Sequence, residues 1–317
     1  MVNSQLRTYV SGMLVAVLAL GVILAGGCHQ KKDKPAVALV MKSLANEFFK
    51  TMEEGAKAHH EQHKGEYDLK VVGIKDEMDV TQQIAYVEMM MAQKVDAIVI
   101  APADSKALVP VCKRAMDAGI IVVNIDNKFD EAVLKDKNAK IPFVGPDNRK
   151  GAKLAGTYLA ARLKAGDKVA IIEGAPNAYN GIQRKLGFED AMLGNNLTIV
   201  SSQTGYWETD RAQPIVSALV NEHPDLKAIL CANDSMALGA MAALTSAGKL
   251  GRIQIVGFDN IAAVRDRVKE GVILCTVDQH GDKLAVFGIE YALEMLKTRA
   301  QPADKETPVD LITAGTL

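Results

Sequence analysis

Short apolar runs alternate with longer amphipathic stretches along most of this 317-residue chain. The short runs are rich in Val, Ile, Leu and Ala, whereas apolar residues recur at intervals of three and four in the longer stretches. This alternation is typical of repeated βαβ units and predicts parallel sheets covered by helices. The predicted strands are 36–41, 69–74, 97–101, 120–125, 169–173, 198–202, 228–232, 254–258 and 273–277. The predicted helices are 47–63, 80–93, 106–118, 148–163, 182–193, 211–221, 235–247, 262–270 and 283–299.

The strands and helices fall into two series, which predicts two similar Rossmann-like α/β lobes joined by a hinge. A chain of this length is more naturally divided into two domains than packed around one core. We expect the last helix to return to the first lobe, because lobes that open and close need strands that cross a hinge. The predicted first lobe is 36–141 plus about 280–306, and the second is 142–279 plus about 307–317.

The amino terminus has the pattern of an export signal. Arg7 precedes an apolar stretch over 13–24, which is too short to be assigned as a membrane span. The small residues 25–27 before Cys28 resemble the bacterial lipobox, which implies that residues 1–27 are removed and that Cys28 carries a lipid. A plain secretory signal or an uncleaved anchor are the alternatives, since Ala25 stands where a leucine is usual. Residues 28–35 are polar and suit a short tether.

Composition and motifs exclude several classes of function. The net charge of -1 and the pI of about 6.6 give no sign of a nucleic-acid partner. No glycine-rich nucleotide loop or nucleophile motif is present, so we expect neither an enzyme nor a cofactor. His59 and His63 share a helix face, yet no carboxylate or thiol motif completes a metal site. The remaining cysteines are expected to be buried free thiols, although export permits a disulfide: Cys112, Cys231 and Cys275.

Five of the predicted strands end in polar or aromatic groups. Because ligands of open α/β sheets bind at the carboxyl ends of the strands, these groups should converge on one crevice. They are Lys42, Asn46, Phe48 and Phe49 after the first strand, Asp126 and Asn127 after 120–125, Asn233 after 228–232, Asp259 after 254–258, and Gln279 after 273–277. The sequence therefore predicts a binding cleft.

The residue types in this cleft suit a small polyhydroxylated molecule. Phe48, Phe49 and the single tryptophan, Trp207, can cover the apolar faces of a sugar ring, although Trp207 could also be a packing residue. Aspartates accept hydrogen bonds, Lys42 and Arg184 donate them, and the amides do both, which matches the mixed character of hydroxyl groups. Asn180 adds a further amide. For Asp234 we expect a helix cap and not a ligand contact.

Four segments match one family as a set: VALVMKSLANEFF at 37–49, PDN at 146–148, CANDSMALGA at 231–240 and VGFDN at 256–260. They resemble the periplasmic sugar-binding proteins of the ribose, allose and galactose type. VVNIDNKFD at 122–130 and VAIIEG at 169–174 make the chain most similar to the D-allose-binding kind. The resemblance covers about 36–311.

The resemblance implies a type I periplasmic binding protein: a monomer that takes a monosaccharide or polyol by hinge closure and delivers it to an ABC permease with its ATPase. It implies a place in the periplasm or at the cell surface, held to the membrane only by the lipid. Six residues carry over directly: Asn46, Phe48, Asp126, Asn233, Asp259 and Gln279. Arg184 falls on the R-x-x-G-F pattern, whereas Ile182 stands where the ribose type has a second arginine. The alternative function is a sugar sensor for a membrane kinase or chemoreceptor.

Overall fold

The computed structural model describes residues 34–317. The predicted signal peptide, the predicted lipidation site Cys28 and most of the predicted tether lie outside the described residues. The strands are β1 (Ala36–Met41), β2 (Asp68–Gly73), β3 (Ala97–Ile100), β4 (Ile121–Ile125), β5 (Phe143–Pro146), β6 (Lys168–Glu173), β7 (Thr198–Thr204), β8 (Leu226–Cys231), β9 (Gln254–Val256), β10 (Cys275–Asp278), β11 (Lys305–Thr307) and β12 (Asp310–Thr313). The helices are α1 (Glu47–Gln62), α2 (Val80–Ala92), α3 (Val109–Asp117), α4 (Glu131–Asp136), α5 (Asn148–Ala160), α6 (Tyr179–Gly194), α7 (Thr209–Glu222), α8 (Asp234–Ser246), α9 (Ala262–Lys269) and α10 (Gly281–Thr298).

The strands form two six-stranded sheets. The first has the order β11-β5-β4-β3-β1-β2, with every pair parallel. The second has the order β12-β10-β9-β8-β6-β7, in which β12 runs antiparallel to β10 and the other pairs are parallel. The predicted fold class, two similar α/β lobes with parallel sheets, is confirmed.

The apolar runs are continuous because helices cover both faces of each sheet. In β1 all six residues are buried. Leu39 belongs to the core on one face of the sheet, and Ala38 and Val40 belong to the core on the other face. Three cysteines are also part of the buried interior as free thiols, as predicted: Cys112, Cys231 and Cys275.

The chain passes between the two sheets three times: after β5, after β10 and after β11. Helix α10 packs on the first sheet, where Gly288 lies against Val99 and Ile125 so closely that a Cβ would come within 2.7 Å of both side chains. The sequence placed the lobe boundary before Phe143. In the structure β5 pairs with β4 and β11, so the strands of the first lobe extend to Pro146.

Among residues 34–317 no helix is both long and apolar enough to cross a membrane.

Candidate functional site

The carboxyl ends of strands from both sheets surround one small cavity between the lobes. Lys42 follows β1 and Asp126 follows β4 in the first lobe, whereas Asn233 and Asp259 lie just beyond β8 and β9 in the second. The cavity is lined by Lys42, Asn46, Phe48, Phe49, Glu77, Asp126, Asn180, Arg184, Trp207, Asn233, Asp259 and Gln279. The structure thus brings together eleven of the twelve residues predicted for the cleft, with Asn127 excluded and Glu77 added.

The first-lobe wall is held in place by α1 and by an ion pair. Asn46 is the N-cap of α1, and its Oδ1 accepts from the backbone N–H of Phe48 at 3.1 Å. The Nζ of Lys42 lies 3.3 Å from Oδ2 of Asp126, and both side chains are nearly fully buried. This pair compensates two charges that would be costly to bury alone.

The second-lobe wall contains the matching pair. Nη1 of Arg184 lies 3.3 Å from Oδ1 of Asp259, and Nε of Arg184 donates to Asn148 at 2.8 Å. The Nε2 of Gln279 donates to the same oxygen of Asp259 at 2.7 Å. Burial raises the pKa of Asp259 well above its ordinary value, whereas Arg184 acts in the opposite direction. Burial lowers the pKa of Arg184.

Trp207 and Phe48 depend on glycines for their positions. A Cβ at Gly174 would come within 2.1 Å of the Trp207 ring, and a Cβ at Gly281 would come within 2.6 Å of the Phe48 ring. Both aromatic side chains are buried and line the cavity. The Nζ of Lys42 lies 5.6 Å from the centre of the Trp207 ring, so a first-lobe cation faces a second-lobe aromatic across the cavity.

Backbone strain is concentrated around this cavity. Asp126, Trp207 and Asp259 have φ angles of 62°, 73° and 122°. Residues other than glycine rarely adopt such angles, and they persist where the surrounding structure fixes them, often at functional sites. Trp207 is unusual because a bulky side chain disfavours this region, and Asp259 is unusual because its φ lies beyond the left-handed α region altogether.

Two buried acceptors on the cavity wall receive no hydrogen bond from the described residues. They are Oε1 of Gln279 and Oδ2 of Asp126, and the second of these has the Nζ of Lys42 at 3.3 Å as its ion-pair partner. Buried polar atoms are satisfied in most native structures, so Oε1 of Gln279 calls for a donor on a bound molecule or water.

Asn127 differs from the prediction because its amide is used within the protein. Its Nδ2 donates to the carbonyl of Pro102 at 2.8 Å, and its Oδ1 accepts from Ser105 Oγ and from the backbone N–H of Asn180. The left-handed backbone at Asp126 turns the chain at the end of β4, so the side chain of Asp126 lines the cavity and that of Asn127 does not. Asn127 therefore connects the lobes instead of lining the cavity.

One further assignment changes. The N-cap of α8 is Asn233, which accepts from the backbone N–H of Met236 at 2.9 Å. Asp234 is not the cap: it is fully buried and accepts from Thr276 Oγ1 and from the backbone N–H of Ile261. Burial raises the pKa of Asp234 to about 7, despite these hydrogen bonds. The cap of α8 is thus supplied by Asn233, the residue before Asp234 in the segment CANDSMALGA.

Glu77 is the cavity residue that sequence reasoning missed. It lies between β2 and α2 and is only 3% exposed. The signal was available, since Glu77 follows the carboxyl end of β2 as Asp126 follows that of β4. The charged segment around it, KDEMD at 75–79, has the composition of a solvated loop.

On one side of the cavity the first lobe caps a helix of the second. The N-cap of α6 is Ala178, whose side chain makes no capping bond. Ser105 Oγ accepts from the backbone N–H of Tyr179 at 2.9 Å, and Asn127 Oδ1 accepts from that of Asn180 at 3.1 Å. Side chains of one lobe therefore satisfy backbone donors of the other.

A second such contact involves α9. Its N-cap, Ile261, has no side-chain capping bond. Oε1 of Glu47, in the first turn of α1, accepts from the backbone N–H of Ala262 at 2.8 Å. Because these contacts join the lobes around the cavity, the structure is that of a closed cleft.

Comparisons with known proteins agree with this geometry. A family model described as a periplasmic binding protein domain matches residues 37–300. A D-ribose/D-allose-binding protein of Pseudomonas aeruginosa is 56% identical over 286 residues, which is 89% of this chain and 90% of that protein.

Solved structures have the same fold. An ABC transporter solute-binding protein of Burkholderia multivorans, with an unknown ligand represented as α-D-erythrofuranose, is 56% identical with a TM-score of 0.87, covering 88% of this chain and 99% of that one. A periplasmic solute-binding protein of Actinobacillus succinogenes with bound D-allose is 34% identical with a TM-score of 0.83, covering 89% of this chain and 98% of that one.

Proposed function

Because the chain belongs to the periplasmic binding protein family, we propose that it captures a neutral monosaccharide or polyol between its lobes and presents the closed form to an ABC importer. The observation that carries this proposal is the buried Oε1 of Gln279, an acceptor on the cavity wall that receives no hydrogen bond from the described residues. A molecule with many hydroxyl groups supplies hydrogen-bond donors from several directions.

The charges of the cavity favour a neutral ligand. Lys42 is paired with Asp126, and Arg184 is paired with Asp259. No described cation of the cavity is left over for a phosphate or a carboxylate. An anionic sugar would face these carboxylates in a site of low dielectric, where like charges repel strongly. The relatives support the same class, since one is named for D-ribose and D-allose and one holds D-allose.

The first prediction tests this function directly. The mature protein is screened by thermal shift and then by calorimetry against D-ribose, D-allose and a set of pentoses, hexoses and polyols. A cognate neutral sugar should raise the melting temperature in a concentration-dependent way, because it binds only the folded state. Ribose 5-phosphate and glucuronate serve as charged controls and should not bind. Binding of the charged compounds with no neutral sugar bound would contradict the proposal.

We also propose that the protein works outside the cytoplasm, anchored by a lipid on Cys28. Support comes from the sequence, in which the apolar stretch at 13–24 leads to small residues and the cysteine. The second prediction is that Cys28→Ser leaves an unprocessed precursor or releases the protein from the membrane fraction, measured by acyl labelling and fractionation. Cys112→Ser, at a buried thiol, is the control and should stay acylated. Equal labelling of Cys28→Ser and the wild type would reject the anchor.

A further inference from the structure

Glu77 is a third carboxyl group that lines the cavity, in addition to Asp126 and Asp259. It lies on the first-lobe wall and is almost completely buried. The hydroxyl groups of a sugar both donate and accept, so the cavity must supply donors as well as acceptors. Some N–H groups of Lys42 and Arg184 are already used in the ion pairs with Asp126 and Asp259. The protonation state of Glu77 therefore decides whether the cavity gains another acceptor or another donor.

The surroundings of Glu77 differ from those of the other two carboxyl groups. Asp126 and Asp259 each have a cationic nitrogen at 3.3 Å. Glu77 has a neutral partner: its Oε1 accepts from Nδ2 of Asn46 at 3.1 Å. Within residues 34–317 no ion pair of Glu77 is formed. A buried carboxylate without a cation is costly, and such a group is more stable in its neutral form.

The charged groups that face Glu77 act in both directions. Burial is the main effect and raises the pKa of Glu77 to about 7. Lys42, at the end of β1, and the hydrogen bond from Asn46 lower it, whereas the carboxylates of Glu208, at the start of α7, and Asp126, after β4, raise it further. The protonated form is thus accessible near neutral pH in the closed cleft.

We propose that Glu77 contacts the ligand as a neutral carboxylic acid, donating its O–H to a ligand oxygen while its other oxygen accepts from Asn46. This inference rests on the proposed function. A carboxylic acid of this kind adds a donor without adding charge, and it leaves two cations balanced by two carboxylates. It also favours ligands that present an acceptor oxygen to the first-lobe wall, so Glu77 contributes to specificity.

Binding then takes up one proton from solvent. In the closed cleft burial raises the pKa of Glu77 from its ordinary value of 4.5 to about 7, and we expect opening of the cleft to expose Glu77 to water and to lower its pKa again. Because the closed state holds the extra proton, affinity is greatest at low pH and is lost as pH rises towards the pKa of the closed state. The dissociation constant should increase by up to about tenfold per pH unit over this window.

The third prediction compares wild type, Glu77→Gln and Asp76→Asn by calorimetry at pH 5.5 and 7.5, with a sugar found to bind wild type. For wild type we expect the dissociation constant to be about tenfold or more higher at pH 7.5, with proton uptake seen as a dependence of the binding heat on the buffer. Glutamine keeps both hydrogen bonds, since its carbonyl accepts from Asn46 and its N–H donates to the ligand. Glu77→Gln should therefore bind at pH 7.5 at least as tightly as wild type, with little pH dependence.

Asp76→Asn is the matched control, because Asp76 is exposed and adjacent in sequence. It should show the wild-type pH dependence. A wild-type affinity that is flat from pH 5.5 to 7.5 without proton uptake would overturn the role of Glu77 while leaving sugar binding intact. The same slope in Glu77→Gln as in wild type would overturn it too. If no neutral sugar binds wild type at either pH, the proposed function fails and this inference fails with it.

Discussion

Two aspartates organise the cavity, one from each lobe. Asp126 and Asp259 both have positive φ angles, both face a buried cation, and both lie just beyond the end of a strand. Asparagine tolerates the same backbone angles, so an Asp→Asn change removes the charge without adding backbone strain. The charge and the conformation can therefore be tested separately.

The fourth prediction is that Asp126→Asn and Asp259→Asn each weaken sugar binding about 10- to 100-fold, because a charge-assisted hydrogen bond of about 1.5–3 kcal/mol is lost and the paired cation is left uncompensated. Calorimetry measures the affinity, and circular dichroism checks the fold. Asp117→Asn, an exposed residue of α3, is the control and should bind normally. Wild-type affinity in either cavity variant would remove that aspartate from the ligand site.

Among the helices and strands, the sequence predicted the long, strongly periodic ones best. All six residues of β1 were placed correctly, and the main helices begin and end within a few residues of their predicted bounds. Four short elements were not predicted: β5, β11, β12 and α4. Each is only three to six residues long; the three strands are defined by pairing with distant strands and not by a local pattern, and the six-residue helix α4 is too short to show a helical period.

The cavity residues were predictable to the extent that strand ends were recognisable. Asp126 and Gln279 follow clear apolar runs, so the convergence of parallel strands places them together. Glu77 obeys the same rule and the end of β2 was predicted within one residue, but Glu77 stands in the charged segment 75–79, which has the composition of a solvated loop. Asn127 could not be separated from Asp126 by sequence, because the direction of its side chain depends on a positive φ at its neighbour.

The caps that cross between the lobes also escape sequence reasoning. A capping pattern relates residues a few positions apart in one segment. Glu47 and Ala262 are separated by 215 positions, so their hydrogen bond exists only through the tertiary fold. Helix α9 therefore gains its side-chain cap only where the two lobes meet.

For the whole molecule, the proposed function couples binding to an equilibrium between open and closed lobes. A ligand held by Asp126 on one lobe and Asp259 on the other favours the closed state, and only such a difference in affinity can shift the equilibrium. The contact of Glu47 with α9 adds to the closed state without lining the cavity. A permease, or the sensor considered as the alternative, would recognise the closed form by its two lobes together.

The fifth prediction is that Glu47→Ala weakens sugar binding about 2- to 30-fold, the range that corresponds to a helix cap of about 0.5–2 kcal/mol, mainly through faster dissociation. We expect the melting temperature of the sugar-free protein to stay near that of wild type, because separation of the lobes would break the contact between Glu47 and Ala262. Asp130→Ala is the control: Asp130 caps α4 within the first lobe, so its loss should lower the melting temperature and leave affinity nearly unchanged.

Closure itself is measured by X-ray scattering, which should show a smaller radius of gyration when sugar is added. In Glu47→Ala the same decrease should require a higher sugar concentration. The fluorescence emission of Trp207, the single tryptophan, should change over the same range of sugar concentration. Unchanged dissociation kinetics in Glu47→Ala would show that closure does not depend on the contact between Glu47 and α9. A sugar that binds wild type without altering the scattering or the emission would show that closure does not accompany binding.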